Sequence, residues 1–424
     1  MKLTVPATLD LDIDAIAAAV AARLQPPATD DVTPDNPHDP TVDDAVDGAK
    51  GGEILPPPVV VPPRDPADQP TIPMGKPVGV TVAGRHLLLD GRKFVMRGGN
   101  SVFWSASEYS NEFERYAADP RYGINDNEAG KGWFAAILRG LELVKQKAPG
   151  FNTVRLTYQA SGQFGFLSSS LARQRKAIEF SIALGLVPIV GFWDLTGDST
   201  LAAKEKLMNA AWFNPGMLAI LRDYPSVVIN PGNELNFDVG GDFKHPSSPA
   251  QAAGFYKNLI RRFRAEGITN TVLLDGARAH GQDPALLMDY GADIVAADPL
   301  RRVAFAVHMY AFWTTGKPDT SWKIGQFSVQ EWLPKLAALP FPVVLSEYGY
   351  NAPGEFTPAG RVGLTTEVAN YDTRIIHRLA LEHELGTVIW ALVGKDNTQY
   401  QLIDNLYDDD LSEMGKLWRR DLRL

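Results

Sequence analysis

The sequence contains no cysteine among its 424 residues. A disulfide framework, a thiolate nucleophile and a cysteine-based zinc site are therefore excluded. The seven histidines include no pair four residues apart, the spacing with which one helix face holds a metal. We therefore predict that neither a metal nor another cofactor takes part in the chemistry. The acidic run "YDDDL" (407–411) lies beyond the last predicted strand, and we interpret it as a solvated surface.

The body of the chain also lacks an excess of positive charge. The net charge of −9 arises within residues 1–75, which contain 13 acidic and 4 basic side chains. Residues 76–424 carry 37 side chains of each sign. Because binding to a phosphate backbone requires clustered positive charge, nucleic acid is not an expected partner.

No run of 18 apolar residues occurs, so no membrane-spanning segment is predicted. The alanine-rich stretch at 15–22 follows Asp10, Asp12 and Asp14, whereas a signal peptide requires basic residues there. Residues 1–24 instead match a short amphipathic helix. Its apolar face carries Leu9, Ile13, Ile16, Val20 and Leu24. Such a helix docks on its own protein, or mediates self-association or attachment to a larger assembly.

Residues 25–75 contain too few apolar side chains to form a core. They hold 13 of the 31 prolines, many aspartates and almost no aromatic residues. This composition predicts a disordered, acidic, proline-rich linker. Within it, "ILPPPVVVPP" (54–63) is typical of a polyproline helix and is expected to act as a stiff spacer.

Regular structure is predicted from about residue 76 onward. The segment 79–100 contains two short strands joined by a hairpin turn at Asp90-Gly91. Apolar runs rich in β-branched residues then recur along the chain. The eight runs are 94–99, 152–158, 186–193, 226–230, 271–276, 303–310, 342–347 and 387–392.

Amphipathic helical patterns separate most of these runs, for example at 132–147, 170–185 and 256–267. Eight alternations of buried strand and helix predict a closed (β/α)8 TIM barrel that occupies residues 76–424. A doubly wound open sheet is the alternative fold. It is disfavoured because no glycine-rich phosphate loop follows the first run.

Polar and aromatic residues cluster at the ends of the predicted strands, which in this type of barrel line the active face. They lie at seven of the eight runs: Asn100, Arg155, Trp193, Asp194, Asn233, Glu234, His308, Tyr310, Glu347 and Trp390. Taken singly, each has a common structural explanation, such as helix capping or core packing. Random placement would scatter them to both ends of the barrel, so their shared level predicts an active site.

Glu234 and Glu347 follow the fourth and seventh runs and are predicted to face each other across the barrel mouth. Two carboxylates suit cleavage of a glycosidic bond, because the acetal oxygen needs a proton donor and the oxocarbenium-like centre needs an anionic nucleophile. A separation of ~5–5.5 Å between the carboxyl groups would predict retention of configuration. Trp390 offers a flat apolar face on which a sugar ring can stack.

Several segments resemble glycoside hydrolase family 5, especially its bacterial β-mannanases and cellulases, over about residues 78–400. They are "VMRGGN" (95–100), "FNTVRLTY" (151–158), "NPGNELNF" (230–237), "ADPLRRVAFAVHMY" (297–310) and "PVVLSEYG" (342–349). The order and spacing of these segments are more specific than any one of them. The resemblance implies a (β/α)8 barrel and a retaining glycosidase.

The resemblance also implies roles for individual residues. Glu234 is expected to be the general acid/base, Glu347 the nucleophile, and Asn233 a hydrogen-bond partner of the sugar 2-hydroxyl. Arg155 is expected to keep Glu347 ionised, so the pKa of Glu347 should be low and Glu234 should hold its proton longer.

Further positions are expected to line the substrate cleft. The resemblance places Tyr310 beside Glu347, His308 near Glu234, and Trp390 under the attacked sugar. The predicted substrate-binding residues are Arg155, Asn233, His308, Tyr310, Trp390, Asn100, Trp193, Asp194 and His280.

Three positions depart from the family pattern. The third strand ends in Trp193-Asp194, where the family commonly has His-Asp. Leu235 replaces the proline that usually follows the acid/base, and His280 stands where a tryptophan is common. The two glutamates are unaffected, and we expect Trp193 and His280 to reshape the cleft for a different glycan.

The leading hypothesis is a retaining, endo-acting glycoside hydrolase whose substrate is a β-1,4-linked polysaccharide, either mannan or glucan. One alternative is a transglycosylase, in which a sugar replaces water. Another is a non-catalytic carbohydrate-binding or attachment protein on the same barrel, which the acidic N-terminal arm would suit. The substrate class points to an extracellular site of action, although the sequence has no clear signal peptide.

Overall fold

The computed structural model describes most of the chain from residue 79 onward. The described ranges are 79–104, 115–126, 130–159, 167–168, 170–193, 201–235, 248–321, 325–352, 371–394, 401–403, 406 and 409–424. The helix predicted at 1–24, the linker predicted at 25–75, Asp194 and part of the "YDDDL" run lie outside the described residues.

Sixteen strands and nine helices lie wholly within these ranges. The strands are β1 (Val80–Ala83), β2 (His86–Leu89), β3 (Arg92–Phe94), β4 (Arg97–Asn100), β5 (Phe103–Trp104), β6 (Thr153–Gln159), β7 (Leu167–Ser168), β8 (Val187–Phe192), β9 (Val228–Asn230), β10 (Val272–Asp275), β11 (Val303–Met309), β12 (Trp313–Thr314), β13 (Phe327–Ser328), β14 (Val343–Tyr348), β15 (Gly386–Ile389) and β16 (Val393–Gly394). The helices are α1 (Lys131–Lys147), α2 (Leu171–Ala183), α3 (Leu201–Trp212), α4 (Pro215–Asp223), α5 (Ser248–Ala265), α6 (Ala285–Ala297), α7 (Val329–Ala337), α8 (Thr373–Glu382) and α9 (Glu413–Leu422).

Eight parallel strands close into a barrel, which confirms the predicted (β/α)8 fold. Their order around the barrel is β4, β15, β14, β11, β10, β9, β8 and β6. The barrel closes because β4 pairs in parallel with both β15 and β6. Each of the eight predicted apolar runs overlaps one of these strands, and the bounds differ by no more than three residues at either end. None of the described helices is long and apolar enough to cross a membrane.

The segment before the barrel forms three antiparallel strands, β1 to β3, rather than the two that the sequence predicts. The predicted turn at Asp90-Gly91 joins β2 to β3, and both residues have positive φ. A second turn, in which Gly84 has a φ of 55°, joins β1 to β2. The prediction missed this second turn, which divides the first predicted strand into β1 and β2, because a single glycine within a β-rich run also fits a continuous strand.

These three strands cover the N-terminal end of the barrel. Val80 and Leu87 pack in one buried cluster with barrel residues such as Val187 and Leu273. At the start of β10, the Thr271 hydroxyl donates a hydrogen bond of 2.6 Å to the Val80 carbonyl oxygen. The predicted active site must therefore lie at the opposite end of the barrel, where the strands end.

The helices pack their apolar faces against the outside of the barrel. In α1, Phe134, Ile137, Leu141 and Val144 recur at helical spacing and are buried. This spacing places them on one face of the helix, as the sequence pattern predicts. Gly185, just beyond α2, has a φ of 72°, the left-handed conformation expected after a helix C-cap.

A pair of glycine substitutions tests how tightly the barrel is closed. An added Cβ at Gly98, in β4, would lie 2.2 Å from the Thr153 carbonyl oxygen of β6. We expect Gly98→Ala to lower the free energy of unfolding by about 2 kcal/mol or more, because the strands must separate. In the matched control Gly254→Ala, in α5, the Cβ meets no described atom within 4 Å. The control should gain about 0.5–1 kcal/mol, because alanine favours a helix. Thermal unfolding checks both values, and equal midpoints would contradict the tight closure at Gly98.

Candidate active site

The predicted site residues meet at the C-terminal ends of the barrel strands. Asn100 ends β4 and pairs in register with Arg155 in β6. His308 in β11 pairs with Glu347 in β14, after a shift in register between Val307 and His308. Since neighbouring parallel strands end at one level, residues far apart in sequence converge here.

Glu234 and Glu347 lie close together, as the sequence predicts. One carboxylate oxygen from each, together with a ring nitrogen of His308, form a group whose members all lie within 4.8 Å of one another. Glu347 is buried, whereas the Glu234 side chain is 12% exposed. Glu234 is therefore the more accessible of the two carboxyl groups.

Arg155 is fully buried and is the centre of a hydrogen-bond network. Its Nη1 atom donates to the Asn100 Oδ1 atom at 3.0 Å and also to Glu347 Oε1. Its Nη2 atom donates to the Oδ1 atoms of Asn233 at 2.7 Å and Asn230 at 2.6 Å. This planar cation therefore fixes the orientation of Glu347 and of three amide side chains.

Asn230 and Asp275 belong to this site, although the sequence analysis did not select them. Asp275 is fully buried, and its Oδ1 atom accepts a hydrogen bond of 2.7 Å from Asn230. Its Oδ2 atom accepts a hydrogen bond of 2.9 Å from the Glu234 backbone N–H. Asp275 ends the fifth predicted strand, so its position at the level of the other site residues was the available signal.

Asp275 supports an unusual backbone conformation at Glu234. Glu234 has a φ of 46°, in the left-handed region that non-glycine residues seldom adopt. Strained backbone of this kind clusters at functional sites, where surrounding contacts hold it in place. The bond to Asp275 is one such contact, and it helps to fix the direction in which the carboxyl group points.

Two imidazoles face the Glu234 carboxylate, one at each oxygen. His308 Nδ1 lies 2.9 Å from Oε1, and His280 Nδ1 lies 3.5 Å from Oε2. His308 is fully buried, whereas the His280 side chain is 44% exposed. The contact between Glu234 and His280 brings an unusual position of this sequence directly to the site.

The remaining predicted residues surround this centre. The Tyr310 hydroxyl donates a hydrogen bond of 3.3 Å to Glu347 Oε2. The rings of Trp193 and Trp390 lie 5.1 Å apart with an angle of 32° between their planes. Both tryptophans follow barrel strands, so they form an aromatic pair at the same end of the barrel as the carboxylates. Asp194 lies outside the described residues.

Among the described side chains, one group of three could hold a metal ion. It consists of Glu234, His308 and Glu347. Arg155 contacts the Glu347 carboxylate directly, and its fixed positive charge opposes a second cation there. The three side chains also contact each other at 2.9 and 3.5 Å. This arrangement suits proton transfer and nucleophilic attack without a metal.

A family model described as Cellulase (glycosyl hydrolase family 5) matches residues 127–396, more than half of the chain. This chain belongs to glycosyl hydrolase family 5. The matched region includes both glutamates and every other candidate site residue except Asn100.

Relatives of this family 5 chain include two bacterial proteins named mannan endo-1,4-β-mannosidase. The one from Salipaludibacillus agaradhaerens is 29% identical over 163 residues, which are 38% of this chain and 49% of that protein. The one from Cellvibrio japonicus is 26% identical over 195 residues, which are 46% of this chain and 40% of that protein. The chain therefore spans about half the length, or less, of these relatives.

Solved structures share the fold. The mannotriose complex of the Thermomonospora fusca β-mannanase superimposes with a TM-score of 0.55 at 19% identity, covering 80% of this chain and 93% of that chain. A β-glucanase from Saccharophagus degradans gives a TM-score of 0.52 at 16% identity, covering 82% of this chain and 94% of that chain. At such identities the likeness shows the (β/α)8 fold alone.

The electrostatics of the family 5 site differ from the sequence-based expectation. Burial raises the pKa of the Glu234 carboxyl, but hydrogen bonds from His280 and His308 outweigh it and lower the pKa to about 2. Burial raises the pKa of the Glu347 carboxyl above its usual value, against the positive charges of His308 and Arg155. The order of the two pKa values is therefore the reverse of the expected one, because the sequence did not reveal that two imidazoles face Glu234.

The charge of His308 is predicted to affect stability. Burial lowers its pKa, but the nearby carboxylates of Glu347, Asp275 and Glu234 outweigh burial and raise the pKa from 6.5 to about 8. Because the folded-state pKa is the higher one, the stabilisation is fully present below pH 6.5 and is lost as pH rises through about 8.

We expect the free energy of unfolding to fall by about 2 kcal/mol through this group between pH 6.5 and pH 9. Denaturant unfolding at both pH values checks the change. The control is His308→Asn, which keeps a nitrogen near the Nδ1 position but cannot become charged. An equal fall in the control would contradict the assignment to His308.

Proposed function

We propose that this family 5 chain is a retaining glycoside hydrolase that cleaves within a β-1,4-linked polysaccharide. Glu347 is the nucleophile and Glu234 is the general acid/base. The observation that carries the proposal is the pairing of these two carboxylates, with oxygens within 4.8 Å, at the open end of the barrel.

The separation supports a double displacement. Retaining glycosidases hold their two carboxyl groups ~5–5.5 Å apart, whereas inverting ones need ~6.5–9.5 Å to fit a water molecule beside the sugar. Oxygens of Glu234 and Glu347 that lie within 4.8 Å of each other favour the shorter, retaining separation. It matches direct attack by one carboxylate on the anomeric carbon.

In the first step, a Glu347 oxygen forms a bond to the anomeric carbon while the bond from that carbon to the glycosidic oxygen breaks. Glu234 gives its proton to the departing oxygen, which leaves as a sugar hydroxyl. Arg155 and Tyr310 hold the Glu347 carboxylate in line through hydrogen bonds to its two oxygens. The products are a covalent glycosyl-enzyme and the released part of the chain.

In the second step, Glu234 is ionised and accepts a proton from a water molecule. The water oxygen forms a bond to the anomeric carbon, and the bond to Glu347 breaks. Two inversions at one carbon give net retention. The accessibility of Glu234 is consistent with this role, because the leaving group and the water approach from its side.

The resting charges of the carboxylates need not match those of the reacting complex. Glu234, His308 and Glu347 have polar atoms within 4.8 Å of one another, so the charge of each group affects the proton affinity of the other two. Positive charge developing at the anomeric carbon favours an ionised Glu347. The glycosidic oxygen beside Glu234 then provides the acceptor for the remaining proton.

The proposed substrate class is supported by the names of the relatives and by the aromatic pair of Trp193 and Trp390. The curated relatives are named for mannan, and one from Caldicellulosiruptor saccharolyticus is named Beta-mannanase/endoglucanase A. Trp390 and Trp193 offer apolar ring faces on which a pyranose ring can stack. We therefore place mannan first and glucan second among the substrates.

A panel of polysaccharides tests this function. Purified protein is incubated with mannan, glucan and xylan, and the release of reducing sugar is compared with that of Glu347→Ala. We expect release from mannan or glucan that the variant abolishes. Formation of longer oligosaccharides without net release would identify a transglycosylase, and binding without release or transfer would identify a non-catalytic binding protein.

The catalytic domain is proposed to be residues 76–424, preceded by a helix at 1–24 and a linker at 25–75. All residues of the site lie within 76–424, and the strands β1 to β3 cover the N-terminal end of the barrel. A protein that begins at about residue 76 is expected to retain the activity of the whole chain. Loss of activity in a truncated protein that still folds would make the N-terminal arm part of the working enzyme.

A further inference from the structure

The loop after β10, residues 277–284, has an unusual backbone. Ala279, His280 and Gly281 are consecutive, and their φ values are 51°, 53° and 75°. The left-handed region is uncommon for residues that carry a Cβ, and two such residues in succession are more so. Such a conformation persists only where surrounding contacts hold the backbone, so the side chains of this loop are held in defined positions.

The loop is fixed to the strand that carries His308. The His308 backbone N–H donates a hydrogen bond of 3.1 Å to the Gly281 carbonyl oxygen. The Gln282 side-chain oxygen accepts a hydrogen bond of 3.0 Å from the Tyr310 backbone N–H. An added Cβ at Gly281 would lie 3.2 Å from the His308 ring, so the loop packs closely against the site. His280 is therefore held by a rigid support.

His280 contacts the Glu234 carboxylate from the side that faces solvent. Its Nδ1 atom lies 3.5 Å from Glu234 Oε2, and Oε1 is already engaged by His308. The other charged groups of its own loop, Arg278 and Asp283, form an ion pair with each other. The carboxylates of Glu347 and Asp275 lie around His308. Arg155 pairs with both of these carboxylates, and the Tyr310 hydroxyl donates to Glu347.

We propose that His280 is a positioning residue for the acid/base: its imidazole holds the outer oxygen of Glu234 and controls the release of the proton to the leaving group. This inference rests on the proposed function and adds a residue to it. A hydrogen bond to the carboxylate fixes its direction, and an imidazolium beside it favours the ionised form. In agreement, burial raises the pKa of Glu234, but His280 and His308 together lower it.

Two variants separate this role from a purely structural one. His280→Ala removes the contact, whereas His280→Asn keeps a side-chain nitrogen near the Nδ1 position and tolerates the left-handed backbone. The matched control is His86→Ala, which removes an imidazole from β2 at the other end of the barrel. Thermal unfolding midpoints establish that each variant is folded. If His280→Ala is unfolded, His280→Gly replaces it, because glycine adopts positive φ freely.

The test compares two substrates, an oligosaccharide of the polysaccharide that the protein cleaves and the matching dinitrophenyl glycoside. The first needs a proton for its leaving group and the second does not. We expect His280→Ala to lower kcat/KM about tenfold on the oligosaccharide and less than about twofold on the aryl glycoside. In the pH profile of kcat/KM for His280→Ala, the alkaline limb should move up by roughly one pH unit, because the pKa of Glu234 rises. His280→Asn should retain most of the oligosaccharide activity and share the upward shift.

An equal loss on both substrates, or no change in rate and pH profile, would overturn the proposal. The proposed function has its own test, because Glu234→Ala should lose activity on the oligosaccharide far more than on the aryl glycoside. If Glu234→Ala keeps full activity on the oligosaccharide, the proposed function fails whatever the His280 variants do.

Discussion

Replacement of Glu347 by alanine is expected to lower kcat on the polysaccharide by roughly 10⁴-fold or more. The variant keeps the cleft but has no group that can form the glycosyl-enzyme. Initial rates of reducing-sugar release check the loss. The matched control is Glu384→Ala, which removes a glutamate that is 40% exposed and pairs with Lys93. The control is expected to keep wild-type activity.

Azide distinguishes the role of Glu347 from that of Glu234. In Glu347→Ala, azide can enter from the face that the carboxylate occupied, so an activated aryl glycoside should give a glycosyl azide of inverted configuration. In Glu234→Ala, azide should replace water in the second step and give the retained configuration. A glycosyl azide of retained configuration from Glu347→Ala would contradict the assignment of Glu347 as the nucleophile.

Replacement of Arg155 by methionine is expected to damage both stability and activity. Methionine fills much of the same space but leaves Glu347, Asp275 and the surrounding amides without the buried cation. Removal of one partner from a buried ion pair costs about 3–5 kcal/mol, which denaturant unfolding can measure. We also expect kcat/KM to fall roughly 10²-fold or more, because the nucleophile loses its orientation and its countercharge.

A second arginine separates these two effects. Arg264, in α5, is 7% exposed and makes two hydrogen bonds of 2.8 Å to the buried Asp298. Arg264→Met should lose a similar amount of stability, because it also breaks a buried pair. It should retain kcat/KM when assayed well below its unfolding temperature. An Arg155→Met variant that is as active as Arg264→Met would show that Arg155 has only a structural role.

The barrel could be predicted from the sequence because each of its strands is buried. A strand buried on both faces appears as a continuous run of β-branched and aliphatic residues, as at 226–230 and 342–347. In the surface strands before the barrel, the hairpin at Asp90-Gly91 was predicted, but the turn at Gly84 between β1 and β2 was missed. Burial therefore gives the barrel strands a clear signal in the sequence, whereas a single-glycine turn between surface strands gives a weaker one.

The proximity of Glu234 and Glu347 could also be predicted, because strand ends in a closed barrel converge on one level. The same rule would have selected Asp275, which ends the fifth strand. The contact between His280 and Glu234 could not be predicted, since it depends on a loop with successive left-handed residues. The order of the two pKa values was wrong for the same reason: Arg155 could be placed beside Glu347, but the two imidazoles beside Glu234 could not.

The stereochemistry of the wild-type reaction tests the central claim most directly. The two adjacent carboxylates predict double displacement, so a β-linked polysaccharide should first release product with a β-configured reducing end. Proton NMR of the anomeric signals, recorded within minutes and before mutarotation, measures this. We predict that the signal of the β-anomer appears first and that the signal of the α-anomer increases later, through mutarotation. Initial formation of the α-anomer would mean that water attacks directly, and it would contradict the proposed role of Glu347.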